Sequence, residues 1–203
     1  MVDDKMRKIA LAAFIGSVFI LLALMILGFP GYIYAFPLHA AFISVSIYLL
    51  YKNDFKTLLK ELGVPYPAKR LLAYALAGTI GSLIIGMLIQ SVLFSIGIRD
   101  MWKVSEKVLE APRLLVMLLF IIPPISEELL FRGVLMNRFG VFISTFIFAL
   151  GHFFYGSIAN IIGAFFIGLL YAYIYKKTGS LLPGIAAHAG YNFIAVLLVL
   201  NSG

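Results

Sequence analysis

Glu127 and Glu128 stand side by side, Arg132 follows four residues after the second, and His152, His188 and Asn192 come later, each in a stretch otherwise poor in charge. A carboxylate can take a proton from water, an imidazole can hold that water, and an amide can donate to an oxygen that gains negative charge. Those are the parts needed to hydrolyse a carbonyl compound: a base, a partner that orients the base or its water, and donors for the oxyanion. His188 and Asn192 are four residues apart, so on a helix they share one face. Other hydrolytic chemistries lack their residues. The chain has no cysteine, no GxSxG-like serine and no HExxH string, and Asp3, Asp4, Asp54 and Asp100 all fall in a tail or in loops. Glu127, His152 and His188 would also make a zinc ligand set, since two His and one Glu bind catalytic zinc, and that alternative stays open.

Local sequence around the carboxylates admits a simpler arrangement. Pro123 and Pro124 interrupt helix hydrogen bonding, so Ser126 could cap a surface helix with Glu127 and Glu128 in its first turn and Arg132 as an i,i+4 partner. The rest of the chain weighs against this. Of 203 residues 63% are hydrophobic and only 12% charged, with mean hydropathy +1.05, against about 25% charge in soluble domains. The composition calls for an all-α, polytopic transmembrane helix bundle, one domain over residues 1–203. An ionised side chain at mid-bilayer costs roughly 2.5–3.5 kcal/mol even on the lenient insertion scale, so the Glu pair must face protein or a water-filled cavity. The net charge of +7 reads as Lys and Arg flanking the membrane rather than as a nucleic-acid surface. Without cysteine there is no disulfide, thiol nucleophile or thiolate metal site.

Seven helices are expected. The uncharged run from Ile9 to Tyr51 holds two, broken at Gly28-Phe-Pro-Gly31 into about 9–27 and 32–51. The basic start is read as a retained helix rather than a cleaved leader. His39 lies within the second helix beside Pro37 and reads as a structural histidine bonded to a neighbour. Residues 52–70, with Lys52, Lys56, Lys60, Lys69 and Arg70, form a basic amphipathic loop at the head groups. A third helix covers 71–98, with Ala73, Ala77 and Gly81 as a close-packing face. Residues 99–112 are a mixed-charge loop. The stretch from Leu114 to Ser126 is too short to span, so it is either re-entrant, giving an eighth segment, or part of a helix bent at the prolines that continues to about Asn137. The run from Phe139 to Tyr175 holds two more helices, parted near Tyr155-Gly156-Ser157, the second with a small face at Ala164, Gly168 and Ala172. A last helix runs to about Leu200.

With the N-terminus in the cytoplasm, 12 of the 16 Lys and Arg lie inside, among them Arg132 and Arg138, while Arg99, Lys103, Lys107 and Arg113 lie outside. At 1.5 Å per residue, Glu127, His152 and His188 then share a layer roughly 16–21 Å deep. The site they would form lies within the membrane and opens toward the cytoplasm.

Glu127-Glu128-Leu-Leu-Phe-Arg132 resembles the EExxxR motif of the type II CAAX prenyl endopeptidases and their relatives, the Abi family of CAAX proteases and bacteriocin-processing enzymes. Phe148-Ala-Leu-Gly-His152 resembles that family's FxxxH motif, and His188-Ala-Gly-Tyr-Asn192 its HxxxN motif. The resemblance covers about residues 113–195, the motif-bearing core, and leaves the first hundred residues unmatched. It implies an intramembrane glutamate endopeptidase with about eight spanning helices, one more than the seven read here. Glu127 would be the base, His152 would hold the same water, and His188 and Asn192 would donate to the oxyanion. Glu128 and Arg132 would sit behind them, the guanidinium neutralising one carboxylate, or else Arg132 would reach lipid phosphate at the cytoplasmic surface. No cofactor is implied, zinc on Glu127, His152 and His188 being the alternative. The expected partners are the lipid bilayer and a peptide or prenylated protein whose C-terminus lies in the membrane. Two other functions use the same residues. One is a non-catalytic membrane protein of partner-binding or bacteriocin-immunity type; the other is a proton-coupled transporter, against which stands the lack of an internal repeat.

Overall fold

The computed structural model describes residues 4–51 and 55–202; Asp3, Lys52 and Asp54, invoked above, lie outside them. Every regular element is a helix, and six runs are long and apolar enough to cross a membrane. The protein is a multi-pass membrane protein. Large apolar side chains such as Phe19, Ile26, Leu72 and Phe142 point outward, as a lipid-facing surface requires.

Helices α1 (Asp4–Ile26) and α2 (Gly31–Leu50) form a hairpin whose turn holds Gly28 at φ +71°. The turn falls at Gly28-Phe-Pro-Gly31, where Pro and Gly predict it. A short helix α3 (Phe55–Glu61) precedes α4 (Ala68–Ser95) within the basic loop, and Leu181 N–H donates to Leu62 O at 3.1 Å, tying this loop to the start of the last helix. Residues 99–112 are not all loop: α5 (Trp102–Glu110) is an amphipathic helix with no buried residue. Its charged and apolar side chains alternate at helical spacing, so it gains stability only at an interface.

The fourth crossing is a chain of short pieces. Helix α6 (Arg113–Leu119) ends, the chain bends at Phe120 and Ile121, and α7 (Ile122–Glu127) begins with Pro123 and Pro124 in its first turn. Proline loses nothing there, because first-turn N–H groups have no helical acceptor. A π-helical segment (Glu128–Leu135) follows directly, then α8 (Met136–Leu150). The bent-helix expectation therefore holds, with the bend just ahead of the prolines.

Residues Arg113–Tyr155 form one apolar run of 43 residues, roughly 64 Å if straight and about twice a bilayer core. It reverses at Gly140, whose φ of 83° and ψ of 172° end the helix. Beyond the reversal Ser144 Oγ donates to Phe131 O at 2.5 Å and Phe148 meets the Phe131 ring edge-on at 5.2 Å. Those contacts describe two antiparallel arms within this run, which counts as one of six candidate spans, against the seven helices read from sequence. A 3-10 turn (Gly151–Tyr155) leads to Gly156, then to α9 (Ile158–Thr178) and α10 (Leu181–Ser202).

Helix α9 is central, packing on α4, α8 and α10, with Tyr171 and Ala172 fully buried. Its small face at Ala164, Gly168 and Ala172 is buried as expected. On α4 the expected face is displaced: Ala73 and Ala77 are exposed, while Gly78 and Ser82 are buried. A hydroxyl in lipid needs a partner, and Ser82 finds Tyr171 Oη at 3.0 Å, which turns that register inward.

Candidate active site

Glu127 closes α7 and Glu128 opens the π-helical segment. In that segment the Met136 N–H reaches back five residues to Phe131 O. The wider turn narrows the angle between successive side chains relative to an α-helix, so two adjacent carboxylates can address one neighbour. That neighbour is His188. Its Nδ1 lies 3.2 Å from Glu128 Oε1 and its Nε2 3.8 Å from Glu127 Oε2. The imidazole is stacked on Tyr171, with centroids 4.9 Å apart at 25°.

Arg132 completes the cluster. Its Nη1 donates to Glu128 Oε1 at 3.0 Å and its Nη2 to Gly168 O at 2.9 Å, with the guanidinium 4.5 Å over the Phe148 ring. Both Arg132 and Glu128 are 1% exposed. A buried ion pair holds only when its remaining donors are satisfied, and the Gly168 carbonyl and two aromatic faces do this. A Cβ at Gly168 would lie 2.8 Å from Thr145 Cγ2 and 3.1 Å from Arg132 Nη2, so the approach needs glycine. Gly184, one turn before His188, likewise lets Glu128 Oε2 sit 3.4 Å from where a Cβ would be.

These distances dispose of two expectations. The surface-helix arrangement requires the Glu pair exposed and far from His188, whereas Ser126 is fully buried and the carboxylates touch His188. Arg132 does not reach lipid phosphate, and it drops out of the cytoplasmic positive charge, because its guanidinium is spent inside the bundle.

His152 sits in the 3-10 turn, its Nδ1 donating to Phe148 O at 3.0 Å. A carbonyl can only accept, so Nδ1 carries the hydrogen and a neutral ring offers Nε2 as an acceptor. The Phe148 ring meets both histidines edge-on, 4.9 Å from His152 and 6.1 Å from His188. Tyr155 stacks on His152 at 6.0 Å and is in electrostatic reach of Glu127. Helix α5 fastens this turn: Lys103 Nζ donates to Gly156 O at 3.0 Å and Lys107 Nζ to Phe154 O at 2.5 Å. Asn192, one turn past His188 on α10, is half-buried and makes no hydrogen bond among the described residues.

Tyr171, Tyr155 and Gly184 escaped the sequence reading, and Gly168 entered it only as part of a helix-packing face. One signal was present: Gly184, His188 and Asn192 repeat every four residues. As for metal, no group of three His, Asp or Glu among the described residues is arranged to hold an ion. Of the three residues considered for zinc, Glu127 and His188 lie together, with Oε2 3.8 Å from Nε2, and the Phe148 ring contacts both histidines.

Neither a curated protein nor a solved structure matches the chain. Residues 109–194, which include Glu127 and Asn192, match the model of the family described as Type II CAAX prenyl endopeptidase Rce1-like.

Proposed function

We propose that this protein is an intramembrane endopeptidase that hydrolyses a peptide bond near a membrane-embedded C-terminus. The observation that carries the reading is the division of labour between the two carboxylates. Glu128 is spent on Arg132 and on His188 Nδ1, whereas Glu127 has no hydrogen bond among the described residues and faces His188 Nε2 at 3.8 Å. A base needs free lone pairs, and Glu127 is the carboxylate that has them.

In this mechanism Glu127 takes a proton from a water that His152 Nε2 also holds, and the hydroxide attacks the peptide carbonyl. His188 and Asn192 donate to the tetrahedral oxyanion from one face of α10. Glu128 holds His188 through Nδ1, which leaves Nε2 to face the reacting carbonyl. Glu127 then returns the proton to the leaving amine. Arg132 acts through Glu128, which aims the imidazole. The chain's own residues supply base, orientation and oxyanion donors, so no metal is required in this scheme.

The family match and the apolar surroundings favour a substrate whose tail lies in lipid, with a prenylated C-terminal peptide as the leading candidate. The decisive experiment presents purified protein in detergent with paired peptides, prenylated and unprenylated, against Glu127→Gln. Cleavage by the wild-type protein that Glu127→Gln abolishes supports the reading; equal cleavage by both overturns it.

A further inference from the structure

The chain has three histidines, and two belong to the site already described. The third, His39, sits on α2, outside the matched segment 109–194, yet it is 7% exposed and packed against the helix that carries Glu127. Its Nδ1 lies 2.7 Å from Ser126 Oγ. Ser126 in turn donates to Pro123 O at 3.0 Å. A hydroxyl has one hydrogen, so with that hydrogen on Pro123 the Ser126 oxygen accepts and His39 Nδ1–H donates. The order is fixed: His39 to Ser126 to Pro123.

We infer that His39 is a positioning residue for Glu127, acting through Ser126, and the inference rests on the peptidase reading above. Ser126 immediately precedes Glu127 at the junction of α7 and the π-helical segment. A serine that bonds back to a carbonyl one turn earlier loosens and bends a helix. At this junction the Glu128 N–H is shared between Ile125 O and Pro124 O, so local backbone bonds define the direction of Glu127 poorly. Glu127 itself makes no hydrogen bond that would hold it among the described residues. A clamp from another helix supplies what the junction lacks. The His39 ring is further held edge-on to Phe42, which meets Phe131, which meets Phe148, whose ring contacts both site histidines. His39 thus lies in electrostatic reach of both His152 and His188.

A buried histidine that only fills space would affect stability and leave turnover per folded molecule alone. Four variants separate the two roles: His39→Leu, which keeps apolar bulk and loses the donor; His39→Asn, whose amide donor replaces Nδ1; Ser126→Ala; and the His39→Leu/Ser126→Ala double. The expected result is a fall in kcat of between about tenfold and a hundredfold for His39→Leu and for Ser126→Ala, the range for a misplaced catalytic group. KM should stay within about twofold, since no contact to substrate is lost. The double should be no worse than either single, and His39→Asn should recover most of the loss. A His39→Leu kcat within about twofold of wild type, or equal losses in His39→Leu and His39→Asn, overturns the inference. Wild-type protein that cleaves no peptide defeats the peptidase reading instead. The clamp is then read in detergent by NMR of 15N-histidine protein, where His39→Leu but not His39→Asn should shift the His188 signals. Unshifted His188 signals in His39→Leu overturn it.

Discussion

At the scale of single residues the two carboxylates should fail differently. Glu127→Gln keeps shape and removes only the ability to take a proton, so kcat should fall by about 10²-fold or more, the size of a lost general base. Its melting temperature in detergent should stay near wild type, because Glu127 anchors nothing. Glu128→Ala strips Arg132 and His188 of their shared acceptor. Removing one partner of a buried pair costs about 3–5 kcal/mol, so this variant should lose yield and melting temperature before kinetics can be read. Parallel melting curves and single-turnover rates check the contrast, and a Glu128→Ala protein as stable as Glu127→Gln would contradict it. Gly168→Ala belongs with Glu128→Ala, since its added methyl meets Thr145, Phe148 and Arg132 at about 3 Å or less. Sequence exposed the charged members of this cluster because an ionisable group in an apolar run is conspicuous. It hid Gly168, Gly184 and Tyr171, because small and aromatic residues at helical spacing look the same whether they pack lipid, another helix or a guanidinium.

Among the elements, the least expected is α5, which lay in a stretch read as loop because its short, mixed-charge sequence has no caps to announce it. Its function is legible only in three dimensions. Asp100, just ahead of it, accepts from Ile158 N at 2.6 Å, Ala159 N at 3.2 Å and Ser157 Oγ at 2.9 Å, at the N-terminus of α9 where negative charge is favoured. With Lys103 and Lys107 this fixes the C-terminal end of the turn that presents His152. Partial burial pushes the Asp100 carboxyl up, but the Ile158 and Ala159 N–H groups, the Ser157 hydroxyl and Lys103 outweigh it and hold the carboxyl below its ordinary value of 3.8. A depressed folded pKa means that stability is present above the unfolded value and lost as pH falls through the folded one. Wild type and Asp100→Asn should therefore differ in melting temperature by a constant amount from pH 5 to 8, the wild type being higher. The gap should close only below about pH 3.8, the unfolded value. A gap that widens on acidification would reverse the sign and refute the account. Lys103→Ala/Lys107→Ala should lower kcat at pH 7 while sparing the α9 terminus, because it frees the His152 turn alone.

Over the whole molecule, the six apolar spans were readable from hydrophobic run lengths and from Pro and Gly breaks, since a bilayer imposes one length on every crossing. What run length could not show is how the fourth crossing breaks into α6, α7 and a π-helical segment, whose Ser126 and Glu128 are met by His39 and His188 from remote parts of the chain. The fold also assigns faces. Leu62 bonds Leu181, which puts α3 and the α9–α10 turn on one side, while Lys103 bonds Gly156 and puts α5 on the other. Lys56, Lys60, Lys69, Arg70, Arg138, Lys176 and Lys177 gather on the first side with the start of α1. The preference for cytoplasmic Lys and Arg predicts that side in the cytoplasm, with α5 and its clamp on the His152 turn on the opposite side. The absence of cysteine from the sequence makes this directly measurable, because any introduced thiol is the sole reactive one. Lys60→Cys and Lys177→Cys should react with a membrane-impermeant thiol reagent only in inverted vesicles. Glu106→Cys, on α5 and away from the clamp lysines, should react only in intact cells. The reverse pattern would invert the bundle, put α5 in the cytoplasm and leave the Glu127 side open to the exterior. Labelling of Lys60→Cys and Glu106→Cys from the same side would refute the number of passes itself.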